Sequence, residues 1–178
     1  MEVAEQAAKP VRKRRWRLLL LELLLLLVLI LLVRGWQQQD LLSGEAADFR
    51  AMTLDGQFVS LADFRGQPLL LHFWASWCGV CEFEQPVISR VAQEWPVVTI
   101  ATFDSGTGDE VRRYMERKEI SHWTTLLDTD SELAGEYGTT GVPTTFVVDG
   151  EGVIRFREVG FTSSWGLRFR LWLAGILF

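Results

Sequence analysis

Hydrophobic and polar residues alternate in blocks along the chain, and the first block is an almost unbroken apolar run. Residues 18–33 consist nearly entirely of Leu, Val and Ile, and Arg17 and Arg34 flank them. A helix of this length and composition is typical of a membrane span, with the basic flank on the cytoplasmic side. We therefore predict a cytoplasmic basic segment over residues 1–17 and a transmembrane anchor over 18–36.

A cleaved signal peptide is the alternative interpretation of the N-terminus, because its basic and apolar regions have the same order. The small residues that could form a cleavage site, at 44–47, lie more than ten residues past the apolar run. We therefore favour an uncleaved anchor, with residues 35–178 exported. The exported part has 11 basic and 20 acidic side chains, and this excess of acids argues against nucleic acid as a partner.

The remaining hydrophobic pattern is typical of an α/β domain. Residues 37–48 are polar or small, have no periodicity and are predicted to form a linker, so the folded domain is expected over 49–178. In chain order the predicted elements are a hairpin over 52–67, a strand over 68–75, a helix over 78–94, a strand over 97–103, helices over 108–120 and 130–138, a hairpin over 144–160 and a helix over 164–175.

The two longest apolar strands, at 68–75 and 97–103, do not alternate with polar residues, which indicates burial on both faces of a sheet. A helix separates them, so they are expected to be parallel, whereas the hairpin over 144–160 adds an antiparallel pair. The pattern therefore predicts a mixed central sheet flanked by helices.

The last predicted helix is unusually apolar and has hydrophobic residues on two faces. One stripe consists of Trp165, Phe169, Trp172 and Ile176. This stripe is expected to pack on the sheet. The other face carries Leu167, Leu171 and Phe178. Contact of that second face with the bilayer is a further hypothesis.

The chain has two cysteines, Cys78 and Cys81, at the point where a buried strand gives way to a helix. A zinc site needs about four ligands, and in the exported part the only other usual nitrogen or sulfur donors are His72 and His122. A purely structural disulfide would close a loop of about four residues and stabilise the fold by only about 2 kcal/mol. Both interpretations are disfavoured.

A redox-active pair explains the placement of the two cysteines. At the start of a helix, unpaired N–H groups and the helix dipole stabilise the thiolate of Cys78, which is the form that attacks disulfides. Cys81 lies one helical turn further and can resolve the mixed disulfide that results. No metal and no cofactor besides this cysteine pair are expected.

Two segments carry a resemblance to a known family. FWASWCGVC (73–81) resembles the active-site segment of thioredoxin, and GVPTT (141–145) resembles the loop that carries its cis-proline. With the anchor and the first hairpin, the chain resembles the membrane-tethered TlpA/ResA/CcmG-like thiol-disulfide oxidoreductases. Through residues 158–175 it is most similar to the ScsD-type (suppressor of copper sensitivity) proteins. The resemblance covers residues 48–175 and implies a thioredoxin fold with an added N-terminal hairpin.

The resemblance also implies roles for individual residues. Cys78 matches the nucleophile, Cys81 the buried resolving thiol, and Glu84 an acid that exchanges a proton with Cys81. The residues implied to contact the substrate are Trp77, Val142, Pro143 (as the cis-proline) and Thr144. A hydrophobic cap remains the alternative for Trp77, and a solvated helix side chain the alternative for Glu84.

Two residues depart from thioredoxin. His72 occupies the position of a buried aspartate and is interpreted as a neutral core residue, with a catalytic base as the alternative. Val80 replaces the proline of thioredoxin and the histidine of DsbA-like oxidants, so the dipeptide between the cysteines favours neither direction of electron flow.

The expected function is thiol-disulfide exchange with exported proteins, in a periplasmic domain anchored in the inner (cytoplasmic) membrane. We expect a reductase, kept reduced by a membrane electron donor of the DsbD/ScsB type, because an oxidising compartment needs tethered reductants for selected thiols. A DsbA-like thiol oxidase or isomerase is the alternative. A copper-binding chaperone is disfavoured because such chaperones on this fold use CxxxC, and a peroxidase because the first cysteine lacks a TxxC context.

Overall fold

The N-terminal part of the protein is a long helix, α1 (Val11–Gln37). The structure, a computed structural model, describes residues 11–103 and 105–177. Residues 1–10 of the predicted basic segment therefore lie outside the described residues. Within the described part, the segment Leu18–Gln37 is long and apolar enough to cross a membrane. It belongs to a unit that ends at Gln39, separate from the folded domain that follows.

A six-stranded mixed sheet forms the centre of the domain. The strands in chain order are β1 (Gly44–Glu45), β2 (Arg50–Met52), β3 (Phe58–Ser60), β4 (Leu69–Trp74), β5 (Val97–Ala101), β6 (Thr124–Leu127), β7 (Thr144–Val148) and β8 (Val153–Val159). The sheet has the order β1-β8-β7-β4-β5-β6, while β2 and β3 form a separate hairpin. Strands β4, β5 and β6 are parallel, and β7, β8 and β1 add antiparallel pairs.

Helices and loops cover both faces of this sheet, which explains why every residue of β4 is buried. The helices of the domain are α2 (Gly79–Val91), α3 (Gly108–Arg117), α4 (Glu132–Glu136) and α5 (Ser164–Leu177). One core cluster contains Leu70 and Trp74 of β4 with side chains of α2, α3 and α5. Leu71 and Phe73 point to the other face and pack with Tyr137 and the N-terminal strands. This arrangement is the thioredoxin fold with an added N-terminal hairpin, as predicted.

The folded unit begins at Asp40 rather than at residue 49, so the linker is shorter than predicted. Strand β1 pairs with β8, and Leu41 is buried. The Leu42 N–H donates to the carbonyl of Tyr137 at 3.0 Å. Residues 40–48, the last part of the predicted linker, therefore form a strap that covers Tyr137 and extends the edge of the sheet.

The face of α5 that packs on the sheet is not the predicted one but the opposite one. Leu167, Leu171 and Ala174 are buried, whereas the aromatic stripe that contains Trp165 and Trp172 is exposed. Both stripes are apolar, so hydrophobic periodicity does not choose between them. The hypothesis that the face with Leu167 and Leu171 rests on the bilayer is wrong for these two residues, and Phe178 lies outside the described residues.

Candidate active site

The two cysteines form a disulfide at the N-terminal end of α2, with their Cα atoms 5.2 Å apart. Cys78 is the N-cap residue, and its Sγ accepts a hydrogen bond from the Cys81 N–H at 3.1 Å. Cys78 is 7% exposed and Cys81 is 2% exposed. In the reduced protein the free N–H groups at this helix end stabilise a thiolate at Cys78, the more accessible of the two.

The proline loop lies against this disulfide. The Val142–Pro143 peptide bond is cis, and the carbonyl oxygen of Val142 is 3.6 Å from the Sγ of Cys78. Thr144 begins β7, and its buried hydroxyl donates to the carbonyl of Gly141 at 2.8 Å. The fold thus brings Cys78 and residues 141–144 together, although about sixty residues separate them in the sequence. The substrate-contacting roles of Val142, Pro143 and Thr144 remain predictions.

Glu84 is fully buried one turn after Cys81 on the same face of α2. Burial raises the pKa of Glu84 to about 7, although a hydrogen bond from the Thr162 N–H, at 2.8 Å from Oε1, acts in the opposite direction. The second oxygen, Oε2, has no hydrogen-bond partner among the described residues. The solvated interpretation of this side chain is therefore wrong, and the carboxyl can take up or release a proton near neutral pH.

His72 lies in the middle of β4 with its ring in the core. Its Nδ1 is 3.0 Å from the hydroxyl of Thr145, and its ring meets the indole of Trp123 edge-on. Burial lowers the pKa of His72 to about 3, so the imidazole is neutral at physiological pH. The environment favours the core-residue interpretation.

Trp77 is exposed beside the disulfide, but its orientation is fixed. Its Nε1 donates to the carbonyl of Phe103 at 2.6 Å. The neighbouring Ser76 hydroxyl donates to the carbonyl of Ser105 at 2.8 Å. A groove of about 400 Å³ opens next to the indole and includes Arg113 and Arg117 of α3 in its lining. Trp77 thus forms one wall of a polar groove as well as an apolar surface beside the reactive sulfur.

Sequence reasoning missed the residues that support the site through their backbone. Thr162 holds Glu84 through its N–H, and Phe103 holds Trp77 through its carbonyl. A backbone group has no residue-specific signal, so no motif could have indicated either contact. Phe161, whose ring contacts that of Phe83 at a centroid distance of 5.3 Å, was also missed. It lies in the segment 158–175 that carried part of the resemblance.

The mixed sheet, the cysteine pair at a helix start and the adjoining cis-proline loop define a thiol-disulfide oxidoreductase of the thioredoxin-like class. The AhpC/TSA family model matches residues 42–157. The chain belongs to the AhpC/TSA family.

Named relatives indicate which chemistry within that family the chain shares. It is 30% identical over 135 residues to the thiol:disulfide interchange protein DsbE of Xylella fastidiosa, and the aligned region covers 72% of this chain and 68% of the relative. It is 28% identical over 113 residues to the thiol-disulfide oxidoreductase ResA of Bacillus thuringiensis, which covers 62% of this chain and 65% of the relative.

A solved structure of a thiol:disulfide interchange protein from Chlorobium tepidum has a TM-score of 0.65 and 28% identity, and covers 75% of this chain and 97% of that structure. The TlpA/ResA/CcmG-like resemblance, the fold and the thiol-disulfide oxidoreductase class are thereby confirmed. The particular similarity to ScsD-type proteins and a link to copper sensitivity remain predictions.

Proposed function

We propose that this protein is a membrane-anchored reductase of disulfides in exported proteins. In this proposal, α1 holds the protein in the inner membrane and the domain from Asp40 onward works in the periplasm. The apolar segment Leu18–Gln37 and the thiol-disulfide oxidoreductase relatives support the location. The acidic balance of the exported part is consistent with protein rather than nucleic-acid substrates.

The proposed reaction transfers two electrons from the cysteine pair to the substrate. The thiolate of Cys78 attacks one sulfur of the substrate disulfide, a mixed disulfide forms, and the first substrate thiolate leaves. The thiolate of Cys81 then attacks the Sγ of Cys78 and releases the second substrate thiolate. Two protons pass to the substrate thiols, and the protein is left with the Cys78–Cys81 disulfide that the structure contains.

The burial of the Glu84 carboxyl one turn after Cys81 is the observation that carries this proposal. The resolving step requires Cys81 to lose its proton in a buried site, where the thiol form is favoured. A carboxyl one turn away, with a pKa near 7 and an unpaired Oε2, is suited to accept that proton and then return it. Each turnover can therefore proceed at neutral pH without access of bulk water to Cys81.

The oxidised protein must be reduced again before the next turnover. In an oxidising compartment we propose a membrane protein of the DsbD/ScsB type as the dithiol donor. It would attack the same Cys78 Sγ, because Cys78 is the more exposed of the two cysteines.

The reduction potential of the domain tests the direction of electron flow. Equilibration with mixtures of reduced and oxidised glutathione, followed by quantification of the Cys78–Cys81 disulfide, gives this potential. We expect a value between about −200 and −270 mV, toward that of thioredoxin. A value near about −120 mV, as in DsbA, would instead assign the protein as a thiol oxidase.

A copper titration of the reduced protein tests the remaining alternative. Within residues 11–103 and 105–177, no group of three or more His, Cys, Asp and Glu side chains is arranged to hold a metal ion. We expect no stoichiometric binding of Cu(I) in competition with a chelator. Tight binding of one equivalent would favour the copper chaperone.

A further inference from the structure

The exposed face of α5 carries a row of stacked aromatic side chains. Trp165, Phe169 and Trp172 are 77%, 44% and 48% exposed. The rings of Trp165 and Phe169 lie 5.6 Å apart and nearly parallel, and those of Phe169 and Trp172 lie 6.0 Å apart. Exposed apolar patches formed by large aromatic residues mark interaction sites, because leaving them in water is unfavourable.

A second pair of rings lies where the loop that leads into α5 meets α2. Phe83, exposed on α2 two residues after Cys81, contacts Phe161 in the loop that leads into α5. Trp165 follows Phe161 by four residues, in the first turn of α5. We call Phe83, Phe161, Trp165, Phe169 and Trp172 the aromatic surface. These side chains belong to α2, to the loop before α5 and to α5 itself.

The charges around this surface indicate what it binds. Arg168 pairs with Glu94 and Arg170 with Glu158, each at 2.5 Å, so the cations of α5 are neutralised within the domain. The exported part has 11 basic and 20 acidic side chains, which disfavours contact with anionic lipid headgroups. Stacked aromatic rings with neutralised flanks suit an apolar polypeptide segment, since aromatic anchors dominate protein recognition.

We propose that the aromatic surface binds apolar, aromatic-rich segments of the substrate protein while its disulfide reacts at Cys78. This proposal rests on the proposed reductase function and specifies its substrate class. Such segments are buried in folded proteins, so the substrates are exported polypeptides that have not yet folded or have lost their structure. In this proposal the selectivity comes from the aromatic surface rather than from the disulfide itself.

Two matched peptides test the proposal in single-turnover reactions. Each contains the same cystine loop, flanked in one by Phe and Leu and in the other by Ser and Gly. The full chain, reduced and inserted in phosphatidylcholine nanodiscs, is mixed with each peptide, and peptide thiols are quantified over time. We expect the apolar peptide to react about tenfold faster at low peptide concentration, since even about 1.4 kcal/mol of binding energy gives that ratio.

The triple variant Trp165→Ser, Phe169→Ser, Trp172→Ser should reduce both peptides at the same slow rate. A matched control is the double variant Met52→Ser, Phe58→Ser, which removes exposed apolar side chains from the β2–β3 hairpin, and it should retain the tenfold preference. Equal rates for the two peptides in the unmodified protein would overturn the proposal, as would a preference that survives in the triple variant.

The same samples exclude other occupants of the aromatic surface. Quenching of tryptophan fluorescence by brominated lipids that is lost in the triple variant would assign the surface to the bilayer and overturn the proposal. A two-copy complex that becomes a monomer in the triple variant would assign it to a second copy, with the same consequence. If neither peptide is reduced although the cysteines are free, the reductase function itself is wrong.

Discussion

Glu84 and His72 are titratable side chains buried in the domain, and burial raises the pKa of Glu84 and lowers that of His72. The carboxyl of Glu84 holds its proton up to a pKa of about 7, whereas the imidazole of His72, with a pKa of about 3, remains without one. Family resemblance could indicate Glu84 and the departure at His72. Their protonation could not be predicted from the sequence, because it depends on burial and on the backbone of Thr162.

Glu84→Gln should change the pH dependence of the stability of the oxidised protein: between about pH 4 and pH 8 the free energy of unfolding of the variant should rise relative to that of the unmodified protein. Below about pH 4.5 this carboxyl is neutral in both states, and as the pH rises to about 7 only the unfolded chain releases the proton. Glu84 therefore lowers the free energy of unfolding over that range, by up to about 3 kcal/mol. Urea unfolding at about pH 4 and pH 8 measures the difference. The exposed control Glu116→Gln should follow the unmodified protein, and parallel curves for Glu84→Gln would contradict the prediction.

His72→Asn should have the opposite effect on the acid side. In the unmodified protein the unfolded chain binds a proton at His72 below about pH 6.5, while the folded state does not. The free energy of unfolding therefore decreases as the pH is lowered from about 6.5 to about 3. The variant should lose this component, although the smaller side chain lowers stability at neutral pH. The single-turnover reduction rate at pH 7 should change by less than about threefold. A fall of about a hundredfold would identify His72 as the catalytic base instead.

Helix α2 is the element that makes two chemically identical cysteines different. Its N-cap position and first-turn N–H groups stabilise the thiolate at Cys78, while Cys81 points into the core one turn later. The apolar strand before α2 and the helical pattern after it were sufficient to predict this placement. The length of α2 was overestimated, since it ends at Val91 rather than at residue 94.

Cysteine variants test this division of roles. Cys81→Ser should accumulate mixed disulfides with exported proteins, because Cys78 attacks and nothing resolves the product. Cys78→Ser should accumulate at least about tenfold less, because Cys81 is buried and lacks the helix N-cap position. Non-reducing gels of cells treated with acid and an alkylating agent give both amounts, with the double variant as the background. The reverse pattern would exchange the two roles.

Elements that depend on tertiary partners were the ones that the sequence did not indicate. Strand β6 has only four residues, two of them Thr, and owes its conformation to pairing with β5 and a bridge from Thr53. The orientation of α5 depends on small residues: Ala174 is buried, and a Cβ on Gly175 would lie 3.1 Å from Pro68. A bulky indole on that face could not approach the domain as closely.

At the scale of the whole molecule, the strap formed by residues 40–48 belongs to the fold. Leu41 is buried, Tyr137 donates its hydroxyl hydrogen to the carbonyl of Ala47 at 2.9 Å, and Arg157 donates to the carbonyl of Leu41 at 2.9 Å. Composition alone indicated a linker here, since small and polar residues dominate the segment. Its order arises from contacts with residues about ninety or more positions away.

Fragments that begin at different residues measure what the strap contributes. A fragment from residue 40 should retain the full unfolding free energy of the domain. One from residue 49 should lose at least about 2 kcal/mol, because burial of Leu41 alone is worth about that much. Thermal and urea unfolding of the two fragments, both oxidised, give the difference. Identical unfolding free energies for the two fragments would show that residues 40–48 are a linker and not part of the fold.

The two buried titratable groups also compensate each other. Between about pH 4.5 and 6.5, unfolding releases a proton from Glu84 and takes one up at His72, so the exchange of these two groups with the solvent nearly cancels. Acidification across that window leaves their combined contribution to stability almost constant. The protein can therefore keep a proton acceptor with a pKa near 7 one turn after Cys81, and within this window the net contribution of Glu84 and His72 to stability does not change with pH.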